Sequence, residues 1–258
     1  NFMNESNRNN LLYQSILECR ENHAEINFSD LDLKLSLNDA YSNIFSLIQK
    51  SKKTISAWKL GGTNQETQDI FNVNKPYFGP LFYDEVFFVK ENKGPLPELP
   101  ILKGEVEIAL RITELGSKKH KNEKIEAGLI FDAWSIAIEF PYSVFSDIPE
   151  SGVEALVADR CAAGALVLGQ INNGLPPKEF SVGLLINGMQ KSVGNQEDLL
   201  MSPVDIAMNF RNLAIRKGFR LEAGQWVSTG GLTSCLSIDK KDIVRLEFCN
   251  KTIYTLEN

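Results

Sequence analysis

Apolar residues recur at helical spacing in the first fifty positions: Leu11, Leu12, Ile16 and Cys19, then Ala40, Ile44, Leu47 and Ile48 after the polar pair Asn38-Asp39. Residues three and four apart share one helix face, so both stretches predict amphipathic helices. After Lys53 the pattern shortens, and brief apolar runs alternate with glycine, proline and asparagine. Residues 105–112 alternate with the period of a strand, and 180–186 form another strand candidate. The pair Asn187-Gly188 follows it, a sequence suited to the tight turn of a β-hairpin. Further strands are expected at 226–229, 243–248 and 252–256. One late helix is well marked, with Ser202 as N-cap, Pro203 in the first turn, Val204, Ala207, Met208 and Ala214 on one face, and Gly218 as the stop. No internal repeat interrupts this order. The sum predicts an α+β protein, helical at the front and β-rich in its body.

Composition narrows the class. A chain of 258 residues with 43% hydrophobic and 23% charged residues is long enough for one large domain, or for a small domain joined to a bigger one. A net charge of −6 leaves no basic footprint for nucleic acid. No apolar run approaches the roughly 20 residues of a membrane span, so no membrane partner is expected. The start carries no secretory signal pattern, and Asn1 and Phe2 precede Met3, which is the expected native start. Cys19, Cys161, Cys235 and Cys249 are scattered without a C-x-x-C pair. That spacing argues against a disulfide framework or a zinc site and favours a reducing, cytoplasmic setting. With only His23 and His120 present, catalysis is expected to run on carboxylates, lysine and an oxygen-ligated cation.

Three features could carry such chemistry. Glu105-Val106-Glu107 places two acids two residues apart, so in a strand both project from the same face. Such a pair is either an exposed strand face or a site with a cation or base between the acids. Glu139 is a third isolated acid, inside the apolar run 136–140, and three carboxylates would suit Mg²⁺ or Mn²⁺. Lys59 lies in an apolar strand that runs into Gly61-Gly62; it is either an edge lysine reaching for water or a cation for an anionic substrate. Gly230-Gly231-Leu232-Thr233 is a glycine turn without the spacing of a nucleotide loop. Lys118, Lys119, Lys121 and Lys124 around His120 read as a solvated loop or as a lid over an anion.

An ordered set of segments carries a resemblance. Residues 58–63 (Trp-Lys-Leu-Gly-Gly-Thr), 78–82 (Phe-Gly-Pro-Leu-Phe), 104–110 (Gly-Glu-Val-Glu-Ile-Ala-Leu), 137–139 (Ala-Ile-Glu), 157–159 (Val-Ala-Asp), 167–169 (Val-Leu-Gly) and 221–230 (Leu-Glu-Ala-Gly-Gln-Trp-Val-Ser-Thr-Gly) occur in one order. From about Asp39 onward the chain resembles the 2-keto-4-pentenoate hydratase group of the fumarylacetoacetate hydrolase-like superfamily, which includes 4-oxalocrotonate decarboxylases.

The resemblance implies a helical cap with the first strands over residues 1–95 and a fumarylacetoacetase-like mixed β-roll core over 96–258. It implies a divalent cation, Mg²⁺ or Mn²⁺, on Glu105, Glu107 and Glu139, and an active-site Lys59 that also binds substrate. Substrate contacts are further expected at Leu81 and Thr233. The group carries an acid in a Pro-Asp-Phe-Gly segment, whereas this chain has Tyr77 within 76–79. Tyr77 is therefore a catalytic candidate, and Asp84 or Glu85 could supply the missing acid. Phe140-Pro141-Tyr142-Ser143 and Arg160 also depart from the group's pattern, around the substrate rather than the metal. The expected function is a metal-dependent hydro-lyase adding water to a small 2-hydroxydienoate or 2-oxo acid in aromatic catabolism. Decarboxylation of the 4-oxalocrotonate type is the alternative, and a non-catalytic relative that keeps metal and 2-oxo acid is a third. A homo-oligomer is implied by the same resemblance.

Overall fold

In the computed structural model, residues 5–119 and 125–258 are described, with side chains from Leu11 onward. The residues Asn1 to Met3, and His120, Lys121 and Lys124 of the basic run, lie outside the described residues. Two helices come first, Glu5–Asn22 and Leu37–Ser51. The second is capped by Ser36, whose hydroxyl accepts the Asp39 N–H at 3.2 Å while the Asp39 carboxylate accepts the Ser36 N–H at 3.0 Å. Asp39 thus sits inside a reciprocal cap, one turn past the true start. Ala40, Ile44 and Leu47 are buried, and Asn43 on the same helix donates to the Ala158 carbonyl at 2.8 Å at the end of the short helix Gly152–Ala158.

The large sheet runs, strand by strand, Tyr77–Phe82, Ile55–Gly61, Trp226–Ser228, Lys103–Ile112, Phe131–Phe140, Ala165–Leu168 and Val86–Phe88. Ile55–Gly61 pairs in parallel with Trp226–Ser228, and Val86–Phe88 in parallel with Ala165–Leu168; the other pairings are antiparallel. The two edge strands, Tyr77–Phe82 and Val86–Phe88, are separated in the chain only by the turn Tyr83–Glu85. Three residues span at most about 10 Å. The sheet must therefore curl until its edges meet, which makes it a roll.

Curling gives the sheet two unlike faces. The outer face carries Trp58, Leu60, Val106, Ile108, Leu110 and Ile138 into the main core beneath the helices. The inner face carries Ala57, Ala109, Ala133 and Ala137 with Leu81, Leu166 and Leu168, small side chains for a narrow interior. A second sheet, Met189–Asn195, Ser181–Ile186, Val244–Phe248, Lys251–Leu256 and Lys93–Gly94, flanks the roll. Its hairpin turns on Asn187 and Gly188, at φ 53° and 78°, as the dipeptide predicts. Strands from both sides of residue 95 share each sheet.

The late helix is Pro203–Arg216, with the Ser202 hydroxyl accepting the Asp205 N–H at 3.1 Å. Its Phe210 packs on Trp58 and Phe78, with ring centroids 5.7 and 5.1 Å apart. The protein is thus a mixed α+β roll with a helical N-terminal portion. Among the described residues no helix is long and apolar enough to cross a membrane.

Candidate metal centre

Strand alternation and register assemble the acids. Lys103–Ile112 and Phe131–Phe140 pair antiparallel with Glu105 opposite Glu139 and Glu107 opposite Ala137. Glu105, Glu107 and Ala109 face into the roll, while Val106, Ile108 and Leu110 are fully buried on the outer side. The three glutamates each offer one carboxylate oxygen within 4.8 Å of the others. Glu107 and Glu139 have no exposed surface, and Glu105 is partly exposed toward the mouth.

Two of the carboxylates, Glu107 and Glu139, have an incomplete set of partners among the described residues. Both the Ser228 hydroxyl and the Gly230 N–H, the latter at 2.9 Å, donate to Glu107 Oε2. Among the described residues Glu107 Oε1 is buried without a hydrogen-bond partner. Lys59 Nζ lies 2.9 Å from Glu139 Oε1, and Glu139 Oε2 has no partner. Burial raises all three carboxyls above their ordinary range, and mutual repulsion adds to it at Glu105 and Glu107. Glu107 reaches about 7 even though Ser228, Lys59 and Gly230 pull it down. For Lys59 burial works against the charge, but Glu139, Glu105 and Glu107 overcome it and hold the ammonium protonated. The lysine is 6% exposed, so the reading of an edge lysine reaching for water does not hold.

Glycines make room for this arrangement. A Cβ on Gly231 would overlap the Glu105 carboxylate where it now lies. Tyr77 stands opposite Gly61 in register, and a Cβ there would overlap the Tyr77 ring. The Tyr77 ring also meets Phe71 edge-on at 5.8 Å. Burial raises the Tyr77 hydroxyl, and Cys161, Glu105 and Glu139 push it the same way, so it stays protonated.

The other expected site residues are placed unequally. Leu81, opposite Ala57, lies on the inner face among the alanines below the acids. The Thr233 hydroxyl accepts the Val106 N–H at 3.0 Å, fastening the backbone between Glu105 and Glu107. Asp84 is not brought to the cluster. Its turn follows the end of the strand that begins at Tyr77, and its exposed carboxylate pairs with Lys53 at 2.8 Å. Glu85 is likewise engaged elsewhere, bound at 2.7 Å on each oxygen by Arg160, which also donates to the Pro80 carbonyl at 3.0 Å. Lys118 pairs with Glu114 at 2.9 Å, and both Lys118 and Lys119 are exposed.

Arg160 nevertheless belongs to a notable segment. Arg160, Cys161 and Ala162 hold φ of 55°, 56° and 54°, three consecutive non-glycine residues in the left-handed region. Asp159 anchors them, accepting from Arg20 Nε at 2.7 Å, the Ser143 hydroxyl at 2.9 Å and the Val144 N–H at 2.8 Å. The turn presses on Gly79, where a Cβ would overlap the Arg160 carbonyl, directly opposite Lys59 in register. Sequence reasoning passed over Ser228 and the Arg160–Glu85 pair. Ser228 left only a weak trace, a hydroxyl two positions before Gly230.

No family model matches the chain. Its fold is similar to that of 4-oxalocrotonate decarboxylase from Pseudomonas putida G7 complexed with magnesium and adipate, with TM-score 0.83 and 17% identity over 99% of this chain and 98% of that one. The same decarboxylase complexed with calcium and acetate gives the same values. Fumarylpyruvate hydrolase from Pseudomonas aeruginosa, in complex with Mn²⁺ and pyruvate, is similar over 79% of this chain and 89% of that one, with TM-score 0.56 and 12% identity. At these identities the likeness establishes the fold, and the β-roll expected from the sequence is the fold observed.

Proposed function

We propose that this chain is a divalent-metal-dependent lyase of small 2-oxo acids, related to the 2-keto-4-pentenoate hydratase and 4-oxalocrotonate decarboxylase group. The observation that carries the reading is the set of three inward carboxylates with two buried, unpartnered oxygens beside one lysine. Buried acids without partners are costly, and an all-oxygen donor set matches Mg²⁺ or Mn²⁺. Glu105, Glu107 and Glu139 would hold the cation. When bound, it supplies the Lewis-acid charge that favours an enolate over its keto form. The metal-bound complexes of the fold relatives point the same way.

The chain's own residues then divide the remaining work. Lys59, kept charged, binds the substrate carboxylate by a charge-assisted hydrogen bond. Leu81 and the inner alanines close the floor against water. Tyr77, kept protonated, is a hydrogen-bond donor for a developing enolate oxygen and no base toward water, and because burial also makes it a reluctant acid the proton that completes the product comes from solvent. The lack of a base favours decarboxylation, in which the bond to the departing CO₂ breaks, its electron pair moves toward the 2-oxygen, and one proton is then added. Hydration remains the second reading, favoured by the ordered segments the chain shares with the hydratases, and it needs a base for water that the cluster of Lys59 and Tyr77 does not provide.

The test is an ultraviolet assay of the Mg²⁺-loaded protein on a 2-hydroxydienoate and on an oxalocrotonate-type acid. We expect loss of CO₂ from the second, slowed strongly in Tyr77→Phe. Water addition to the first with full rate in Tyr77→Phe would establish the hydratase. Binding of oxalate without turnover of either compound would leave a non-catalytic 2-oxo-acid protein. We also propose an assembly of at least two chains in the cytoplasm, which a monomeric mass in light scattering would overturn.

A further inference from the structure

We propose that Ser228 and the Gly230 backbone N–H are a positioning pair that fixes one oxygen of Glu107 and so aims the other at the cation. The inference rests on the metal reading above and adds residues to it that touch neither metal nor substrate. Trp226–Ser228 is the short central strand of the roll, and in register Ser228 lies beside Lys59 on one side and Ala109 on the other. Its side chain therefore points inward, where its hydroxyl is fully buried and donates to Glu107 Oε2.

The strand ends at Ser228, and the chain then turns at Gly230, whose φ is 99°. That turn directs the Gly230 N–H to the same oxygen at 2.9 Å. Any side chain at Gly230 would collide with the Thr63 hydroxyl, so the turn is closed from above as well. Two donors converge on Oε2 and none reaches Oε1, which is buried and unpartnered. Among the described residues Glu139 has no comparable clamp, its one ion pair being with Lys59. A carboxylate with one oxygen held by two donors has lost its rotation about the terminal bond. Its free oxygen keeps a fixed direction, which is how outer-layer hydrogen bonds raise the affinity of a metal ligand.

The bland alternative is that Ser228 merely satisfies a buried acid and stabilises the fold. Mn²⁺ titration followed by electron paramagnetic resonance separates the two, because the free-ion signal reports affinity and the bound spectrum reports ligand geometry. Wild type, Ser228→Ala and Ser228→Gly are compared, none of which adds volume to the strand. Thr229→Val serves as a control, since the Thr229 hydroxyl donates to the Ile108 carbonyl at 2.8 Å and faces no carboxylate. We expect both Ser228 variants to bind Mn²⁺ about 10–100-fold more weakly with an altered bound spectrum, on top of a lowered melting temperature of the metal-free protein that Thr229→Val shares. Thr229→Val should lower the melting temperature and leave Mn²⁺ affinity alone. If wild type binds Mn²⁺ and either Ser228 variant binds it equally well, the assignment to Ser228 is overturned while the metal site stands. If wild type itself does not bind Mn²⁺, the metal reading fails instead.

Discussion

Two concave regions of this molecule hold charge in opposite ways. A cavity of about 1080 Å³ lies between the N-terminal helices and the sheet, lined among others by Arg20, Lys53, Asp84, Glu85 and Arg160. There both arginines and Lys53 are paired: Arg20 with Asp159 at 2.7 Å, Arg160 with Glu85 at 2.7 Å, Lys53 with Asp84 at 2.8 Å. The interior of the roll holds three acids against one lysine, with two carboxylate oxygens left without partners among the described residues. A buried ion pair of good geometry is a structural strut that needs nothing further. A surplus of buried acid is unstable until a cation arrives. Unbalanced buried charge distinguishes a site from a gap whose buried charges are paired.

The comparison breaks first at Glu107. Glu107→Gln keeps the shape, removes the charge and replaces an oxygen ligand. Calorimetry should show Mg²⁺ affinity falling by more than the roughly 100-fold that a lost outer-layer contact can cost. Unchanged binding would place the cation elsewhere and make the acid cluster as inert as the cavity.

The second effect concerns pH in the metal-free protein. The Glu107 carboxyl rises from its ordinary 4.5 to about 7 on folding, through burial and the neighbouring Glu139. The folded state then holds a proton that the unfolded state releases, so this contribution is complete below pH 4.5 and is lost as pH rises to about 7. Lys59, shifted upward from a far higher value, stays charged across that window. Urea unfolding in EDTA should lose on the order of 3 kcal/mol between pH 4.5 and pH 7.5. Saturating Mg²⁺ should restore much of it, and Glu107→Gln should make the profile shallower, the raised carboxyls of Glu105 and Glu139 supplying what slope remains. An identical slope in wild type and Glu107→Gln would show that Glu107 is not the strained group.

Lys59→Met is a gentler probe, because it removes the single positive charge at the acids and keeps the length. With Mg²⁺ saturating, oxalate affinity should weaken by roughly 1.5–3 kcal/mol, the size of a charge-assisted hydrogen bond. Mg²⁺ binding should survive. Equal oxalate affinity in both proteins would reduce Lys59 to a counter-charge for Glu139. At the other region, Asp84→Asn breaks only an exposed pair with Lys53. Stability should change by about 0–1 kcal/mol, with metal affinity and turnover unaltered. A loss of turnover there would return Asp84 to the list of proton carriers.

How far the sequence carried depended on the range of each interaction. Asn187-Gly188, the Ser202 cap and the Glu105–Glu107 pair rest on neighbours within a few residues, and all stand as read. The strand at Met189–Asn195 was implied only by its hairpin turn, and the helix at Gln65–Phe71 was not anticipated. The first is largely polar and mostly exposed, and the second buries no residue, so neither shows an apolar period. Asp84 shows how distance in the chain and in space part company. Seven positions from Tyr77 reads as close in sequence, yet along an extended strand it is roughly 20 Å.

By itself the sequence determined which residues share a face: alternation with period two sends Glu105 and Glu107 inward, and an isolated Glu139 in an apolar run has to be buried somewhere. It also determined, through the ordered segments, the kind of fold to expect. Tertiary structure alone decided that Glu139 stands opposite Glu105, that Lys59 reaches Glu139, and that Ser228 holds Glu107. It also decided that Arg160 turns to Glu85 rather than to the acids. These are matters of register and of which strand lies beside which. A slip of one residue in the pairing would keep every local pattern and still send a glutamate to the opposite face, because only the packing of the whole roll selects the register.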